Sequence, residues 1–498
     1  MSHSSPQTIP AQPWQEPTSA CPPRFWWLQR GSILFVVTLL ALVGLRWWWG
    51  KIADDRLAAM IAEAHARGEP ILPEDFNPAP IPDSQNAALT LRLAADSIVR
   101  DATYDAFEKN WDGAPLAPAA LPQLEHILSA NQKSLKLCHL ARSQSGVNWN
   151  IPVKTPVFAM PLPHLSAQRA LAMLQTWAAL SCHYADNDAE AIDEIEDVLR
   201  QASAIDLGPS CAVTHLVAIG ISAEAVSRLQ SITPDLQIDS AGDRRAKSHS
   251  ASLRQVHSLI SHLLDENELQ LSVVRSFEGE RMVALDTATF MAKNDRAWVA
   301  NAAYLGIEFC PRTLLAPMIE FDGMQLAQTM QAVSVAAKGQ NFPTAQSALP
   351  AHQHRVEVSD ADLLCHRFRD TFAIWYDRSV ESHYKYLTEQ RATAIALAIR
   401  LYRFDHSGQL PPLLENLVPD YLPRVPADPM AANIRPFQYR PDRRPAILYS
   451  VGRNGIDDGG TPLPSTLGSK DWRAADAVYP LEPLPPESQP SAQTQDHQ

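Results

Sequence analysis

The sequence predicts a mainly α protein with a single transmembrane helix, an ectodomain of stacked helical hairpins and a small α+β module at its C-terminal end. Three observations carry this prediction. An uncharged apolar run edged by aromatics lies near the N-terminus. Apolar residues recur at helical spacing through most of the chain. Strand-like alternation is scarce before residue 430. The 498 residues allow about three structural units. Composition divides them into a disordered tail at 1–24, an anchor at 25–50, a helical ectodomain at 51–384, a distinct module at 385–480 and a second disordered tail at 481–498.

The anchor is read from Gly31–Leu45, GSILFVVTLLALVGL, which carries no charge. A membrane-spanning helix needs about twenty mostly apolar residues. Gly31–Gly50 supplies them if Arg46 snorkels to the interface. Phe25, Trp26 and Trp27 on one side and Trp47, Trp48 and Trp49 on the other match interfacial aromatic belts. A cleaved signal peptide is disfavoured, because bulky Trp residues stand where small residues mark a cleavage site. Arg24 and Arg30 precede the span, and Arg46, Lys51 and Arg56 follow it, so basic residues alone do not set its orientation.

Beyond the span, Ile52–Arg67 reads as a short separate helix stopped by Gly68. Further helices are expected at 86–110, 121–142, 165–185, 189–207, 211–231, 248–291 and 312–338. Proline-rich stretches at 70–82 and 146–163 interrupt them. Asp186-Asn187-Asp188 supplies the turn of the clearest hairpin. No repeat consensus emerges, although the pattern is loosely that of stacked helical hairpins.

Net charge of −13 argues against a nucleic-acid partner, which needs a basic surface. Six Cys in a chain of this length exclude a disulfide-stapled miniature scaffold. There is no P-loop, no G-x-S-x-G, no H-E-x-x-H and no C-x-x-C. Cys138-His139, Cys182-His183 and Cys365-His366 are dipeptides whose members point about 100° apart on a helix, so each reads as a thiol in the core beside a half-exposed imidazole. His352 and His354 read as solvated loop residues, and the spacing of His257 and His262 is poor for one helical face.

The end of the chain is more informative. A helix containing Ala394–Tyr402 runs into Asp405-His406-Ser407-Gly408. A leucine- and proline-rich stretch follows, then Asp428-Pro429, then strand-like Phe437–Arg440 and Ala446–Ser450 around a Pro441–Arg444 turn. Last comes Val451–Gly460, where Asn454, Asp457 and Asp458 cluster oxygen donors among glycines. Ca²⁺ takes six to eight oxygens in such flexible sites. Ordinary Asn-Gly and Asp-Gly turn chemistry accounts for the same residues, so both readings stand at this point.

This order resembles the globular part of the major pseudopilins of type II secretion systems. That family's helix ends in a Y-x-x-D-x-G-x-x-P pattern, matched here by Tyr402, Asp405, Gly408 and Pro411. Its D-P turn is matched by Asp428-Pro429, and its S-x-G-x-[DN]-G loop by Ser450, Gly452, Asn454 and Gly455, with Gly459 and Gly460 beyond. The resemblance covers about ninety residues, and it implies calcium in the glycine-rich loop, with Asp476 returning as a further ligand beside Asn454, Asp457 and Asp458. It also places the bulk of the chain outside the cytoplasm. In pseudopilins the N-terminal helix joins this module directly, whereas some 340 residues intervene here. Val36 stands where their processed helix carries Glu, which puts filament assembly in doubt. As a whole the chain resembles uncharacterised bacterial membrane-anchored helical proteins that end in such a module. The resulting expectation is a non-catalytic envelope interaction or scaffold protein, single-pass in the bacterial inner membrane with its bulk periplasmic, in contact with lipid and other envelope proteins and linked to secretion. A membrane-tethered periplasmic hydrolase and an envelope solute-binding protein are the alternatives.

Overall fold

Helix is laid down in order along most of the chain. The computed structural model describes residues 25–111, 118–239, 249–305, 310–350, 376–461, 472 and 476–483. The expected tail at 1–24, most of that at 481–498, and the Cys365-His366 and His352/His354 positions lie outside the described residues. Two compact units divide between residues 56 and 57.

The first helix, α1, runs unbroken over Trp26–Ala66. The separate helix expected at Ile52–Arg67 is its continuation. Neither proline nor an N-cap interrupts the backbone, and the pair Lys51–Asp55, 2.5 Å apart, spans one turn across the expected gap. In the first unit its apolar residues over 28–45 are exposed, with Leu34 and Phe35 each at 68%. In the second unit Leu57, Met60, Ile61 and Ala64 pack with Ile71, Leu285, Met324 and Ala327.

The helices of the second unit follow as α2 (Ala87–Asp96), α3 (Ala102–Asn110), α4 (Leu121–Ala130) and α5 (Gln132–Ala141). The segments 86–110 and 121–142, each expected as one helix, are therefore two apiece. One side chain does much of the dividing. Asn131 Oδ1 accepts from the Val99 N–H at 2.7 Å, and its Nδ2 donates to the carbonyls of Val99 and Ile127. The backbone between α2 and α3 is thus satisfied without helix, at the position where α4 also stops. Asp101 then caps α3 by accepting from the Tyr104 N–H.

The expected hairpin forms as α6 (Pro163–Tyr184) and α7 (Asp188–Asp206), with α8 (Ala212–Ile232) against both. Tyr104, Phe107 and Trp111 from α3 and its end gather around buried Trp177 of α6, with ring centroids 4.9–5.8 Å from that indole. A two-residue parallel pair, β1 (Ile238–Asp239) with β2 (Ala251–Ser252), precedes α9 (Leu253–Leu264). The expected helix at 248–291 breaks before α10 (Asn267–Lys293). There Arg391 grips Glu266 with two hydrogen bonds, and Gln390 donates to the Leu263 carbonyl.

α10 packs along α12 (Arg312–Ala336), after the short α11 (Asp295–Leu305). Small residues allow this approach: a Cβ on Gly323 would lie 2.3 Å from the Ala288 Cβ. α13 (Phe342–Ala348) leads on toward α14 (Tyr376–Asp405).

α14 packs on α8, α9 and the sheet that follows it. That sheet is antiparallel, ordered β3 (Gln438–Arg440), β4 (Ile447–Ser450) and β5 (Ala477–Pro480). Leu448 pairs with Tyr439 on one side and Tyr479 on the other. Leu397 and Leu401 of α14, Leu448 and Tyr479 belong to the same continuous core as Trp177 and Ile195 of the helical body.

Candidate functional site

The loop 451–460 leaves β4, the central strand of the sheet, and is held by two buried aspartates. Asp428 is 2% exposed and accepts from the Val451 and Met430 N–H groups and the Ser450 hydroxyl, at 2.8–3.0 Å. It stitches the Asp428-Pro429 turn to the end of β4. Burial pushes its carboxyl up, against the pull of those hydrogen bonds. Asp476 does the same from the start of β5. Its Oδ2 accepts from the Gly460 N–H at 2.7 Å and its Oδ1 from the Asp458 N–H at 3.3 Å. Burial, followed by the nearby charges of Asp458 and Asp457, pushes Asp476 up as well.

Asn454, Asp457 and Asp458 are exposed at the loop tip. Asn454 Oδ1 accepts from the Ile456 N–H, and its Nδ2 donates to Asp458 Oδ2 at 3.0 Å. Asp457 Oδ1 accepts from the Gly459 N–H and the Tyr449 hydroxyl, each at 3.0 Å. Gly455 and Gly460 take φ near +70°, which the tight course of the loop requires. All four predicted residues thus come into one hydrogen-bonded loop, but Asp457, Asp458 and Asp476 do not bring three oxygens within 4.8 Å of one another. Asn454 and Asp457 each spend one oxygen on a backbone N–H group, and Asp476 spends both of its own. For a cation, the exposed Asp457 and Asp458 are the adaptable donors.

The helical body holds a partly open cavity of about 190 Å³ lined by Asp206, Ser272, His262, Arg275, Tyr386 and Gln390 among others. His215, 2% exposed, links two of these residues. Asp206 and Ser272 both meet its Nδ1, at 3.1 Å each. A Ser–His–Asp relay requires the serine and the carboxylate on opposite ring nitrogens. Here they share one, so the trio is a polar brace and not a nucleophile assembly. His383 lies with its ring 5.6 Å from that of His215, and burial drives its imidazole well down, leaving it neutral.

On the surface, a groove of about 600 Å³ is lined by Trp111, Arg169, Arg228, Glu108 and Glu224. The Arg228 guanidinium sits 4.3 Å over the Trp111 ring.

Among the described Cys-His pairs, Cys138 is buried and Cys182 half-buried, and burial is the main cause pushing both thiols up. Their imidazoles are tied to carboxylates, His183 to Asp188 at 2.6 Å and His139 to Asp197 at 2.5 Å. These carboxylate partners were not read from the sequence. Neither family models, nor curated proteins, nor solved structures give a significant match to this chain.

Proposed function

We propose that this chain is a membrane-anchored, non-catalytic interaction or scaffold component of the bacterial envelope, with α1 in the inner membrane, the helical body in the periplasm and a link to secretion. One observation carries the reading. The most apolar window of α1 has a mean hydropathy of 1.9 and none of it is buried within the chain. Exposing such a stretch to water is costly, at roughly 25 cal/mol per Å² of apolar surface, and a bilayer removes that cost. The body supports a binding role: its surface groove combines Trp with Arg, residue types enriched at protein interfaces. The cavity lacks the relay that a serine hydrolase needs, so the alternative of a tethered hydrolase gains nothing from it. The secretion link and the periplasmic placement rest on the pseudopilin-like order of motifs in 385–480.

The same resemblance carries a proposal for Ca²⁺ at the C-terminal loop, with Asp457 and Asp458 as side-chain ligands and Asn454 and Asp476 shaping the backbone around them. The experiment for the main reading is affinity capture of the full chain from detergent-solubilised membranes after brief crosslinking, beside the double variant Trp111→Ala, Arg169→Glu. A discrete envelope partner that is lost with the variant supports the proposal. A chain recovered alone from both samples contradicts it.

A further inference from the structure

The acidic helix α7 repeats carboxylates at helical spacing, and Glu190, Glu194 and Asp197 share one of its faces. That face meets His139 of α5. His139 Nε2 lies 3.3 Å from Glu194 Oε1 and 3.7 Å from Glu190 Oε1. The three ligand atoms all lie within 4.8 Å of one another, and no other His, Cys, Asp or Glu group of three or more does so among the described residues. We propose that His139, Glu190 and Glu194 form a binding site for a first-row divalent metal ion of the Zn²⁺ kind, joining α5 to α7.

The spacings suit such an ion. Zn²⁺ holds nitrogen and oxygen ligands at about 2.0–2.1 Å, so neighbouring ligands of a tetrahedral site stand about 3.3 Å apart. The two distances from His139 Nε2 fall close to that edge length. The imidazole is also oriented for the task. Its Nδ1 meets Asp197 Oδ2 at 2.5 Å, so Nε2 is the nitrogen that faces the two glutamates, and an ion binds there in exchange for the Nε2 proton. Metal-bound histidines almost always pass their second nitrogen to such a carboxylate, which fixes the ring and raises its basicity. Asp197 is itself held by Arg142, whose Nε donates to Asp197 Oδ1 at 2.5 Å. Asp197 is therefore a positioning residue, not a ligand.

A second observation points to a missing ligand. Glu194 has a side chain only 4% exposed, and its Oε2 is buried with no hydrogen-bond partner. A buried carboxylate oxygen without a partner is costly, and a cation held by both oxygens of Glu194 removes that cost. The imidazole favours a transition ion over Mg²⁺ or Ca²⁺, which prefer all-oxygen sites. Glu190 keeps 47% of its side chain exposed, so the site is open on that side and solvent completes the coordination.

The test is calorimetric titration of the full chain in detergent, stripped with chelator, using Zn²⁺ alone as the probe. One ion per chain is expected. Glu190→Gln, which alters an exposed side chain, should weaken that site at least tenfold with the helical circular dichroism unchanged. His139→Ala should abolish it. Asp197→Asn should weaken it by about 10–100-fold. Co²⁺ bound to the Asp197→Asn variant should keep the tetrahedral visible spectrum of the wild type, which a purely structural role would not require. The loop variant Asp457→Ala, Asp458→Ala should titrate as wild type. Absence of binding in the wild type, or titrations of Glu190→Gln and His139→Ala that match it, would overturn the proposal and leave the cluster as an ion-pair network.

Discussion

His164 offers a direct test of how the body is held together. It sits in the first turn of α6, 5% exposed, its ring tilted against that of Trp149 with centroids 4.6 Å apart. Both ring nitrogens are buried without hydrogen-bond partners. Burial first, and the neighbouring Arg92 charge second, push its imidazole down to about 4. In the unfolded chain the same group titrates near 6.5. The folded state thus keeps His164 neutral while the unfolded state takes up a proton as pH falls. Stability from this group is fully present above about 6.5 and drains away on acidification toward 4. Each unit of displacement is worth about 1.4 kcal/mol, so the loss between pH 8 and pH 5 is about 2 kcal/mol. The perturbation is His164→Phe, which keeps a planar ring against Trp149 and removes both unpaired nitrogens. At pH 8 the variant should equal the wild type or exceed it by about 1 kcal/mol. At pH 5 its advantage should be larger by about 2 kcal/mol. Urea unfolding of residues 57–498, followed by far-ultraviolet circular dichroism at both pH values, reads the difference. A gap between variant and wild type that does not change with pH would refute the reasoning.

Three other consequences are measurable. A Cβ on Gly279 would stand 1.7 Å from the Ser210 carbonyl oxygen, so Gly279→Ala should force α10 from the turn before α8 and cost about 3 kcal/mol in urea unfolding. Asp428→Ala leaves the Val451 and Met430 N–H groups and the Ser450 hydroxyl without their shared acceptor; a loss of about 2–3 kcal/mol is expected, with faster amide exchange at residue 451. Millimolar Ca²⁺ should raise the melting temperature of the wild type relative to chelator, and the double variant Asp457→Ala, Asp458→Ala should erase the difference; identical melts for the wild type in both buffers would reduce the loop to a turn.

Helix content and the long hairpin were legible because their signals are local. The periodicity of Ile192, Ile195, Leu199 and Ala202 marks one face of α7, and Asn187 caps it as its residue type predicts. Helix breaks were less legible, because distant residues make them. Asn131 ends α4 and also satisfies Val99, thirty-two positions earlier, and Arg391 of α14 grips the break at Glu266. The strands β3 and β4 were visible as short strand-like segments around a turn, while the roles of Asp428 and Asp476 as acceptors for loop N–H groups depend on contacts across the sheet. For the α5–α7 cluster, half the signal was present. Glu190, Glu194 and Asp197 at helical spacing could be read along the chain, but the histidine that faces them comes from some fifty residues away. Each Cys-His dipeptide considered alone pointed to buried thiols, and the carboxylate partners appear only in three dimensions.

The account turns on α1 lying in a membrane with the helical body beyond it. A reporter active only in the cytoplasm, fused after Gln498, measures this in intact cells, with the fusion checked as full-length in carbonate-washed membranes. The account predicts a silent reporter on an intact, membrane-retained chain. Strong reporter activity would place the helical body and its C-terminal sheet in the cytoplasm and contradict the envelope function proposed for them.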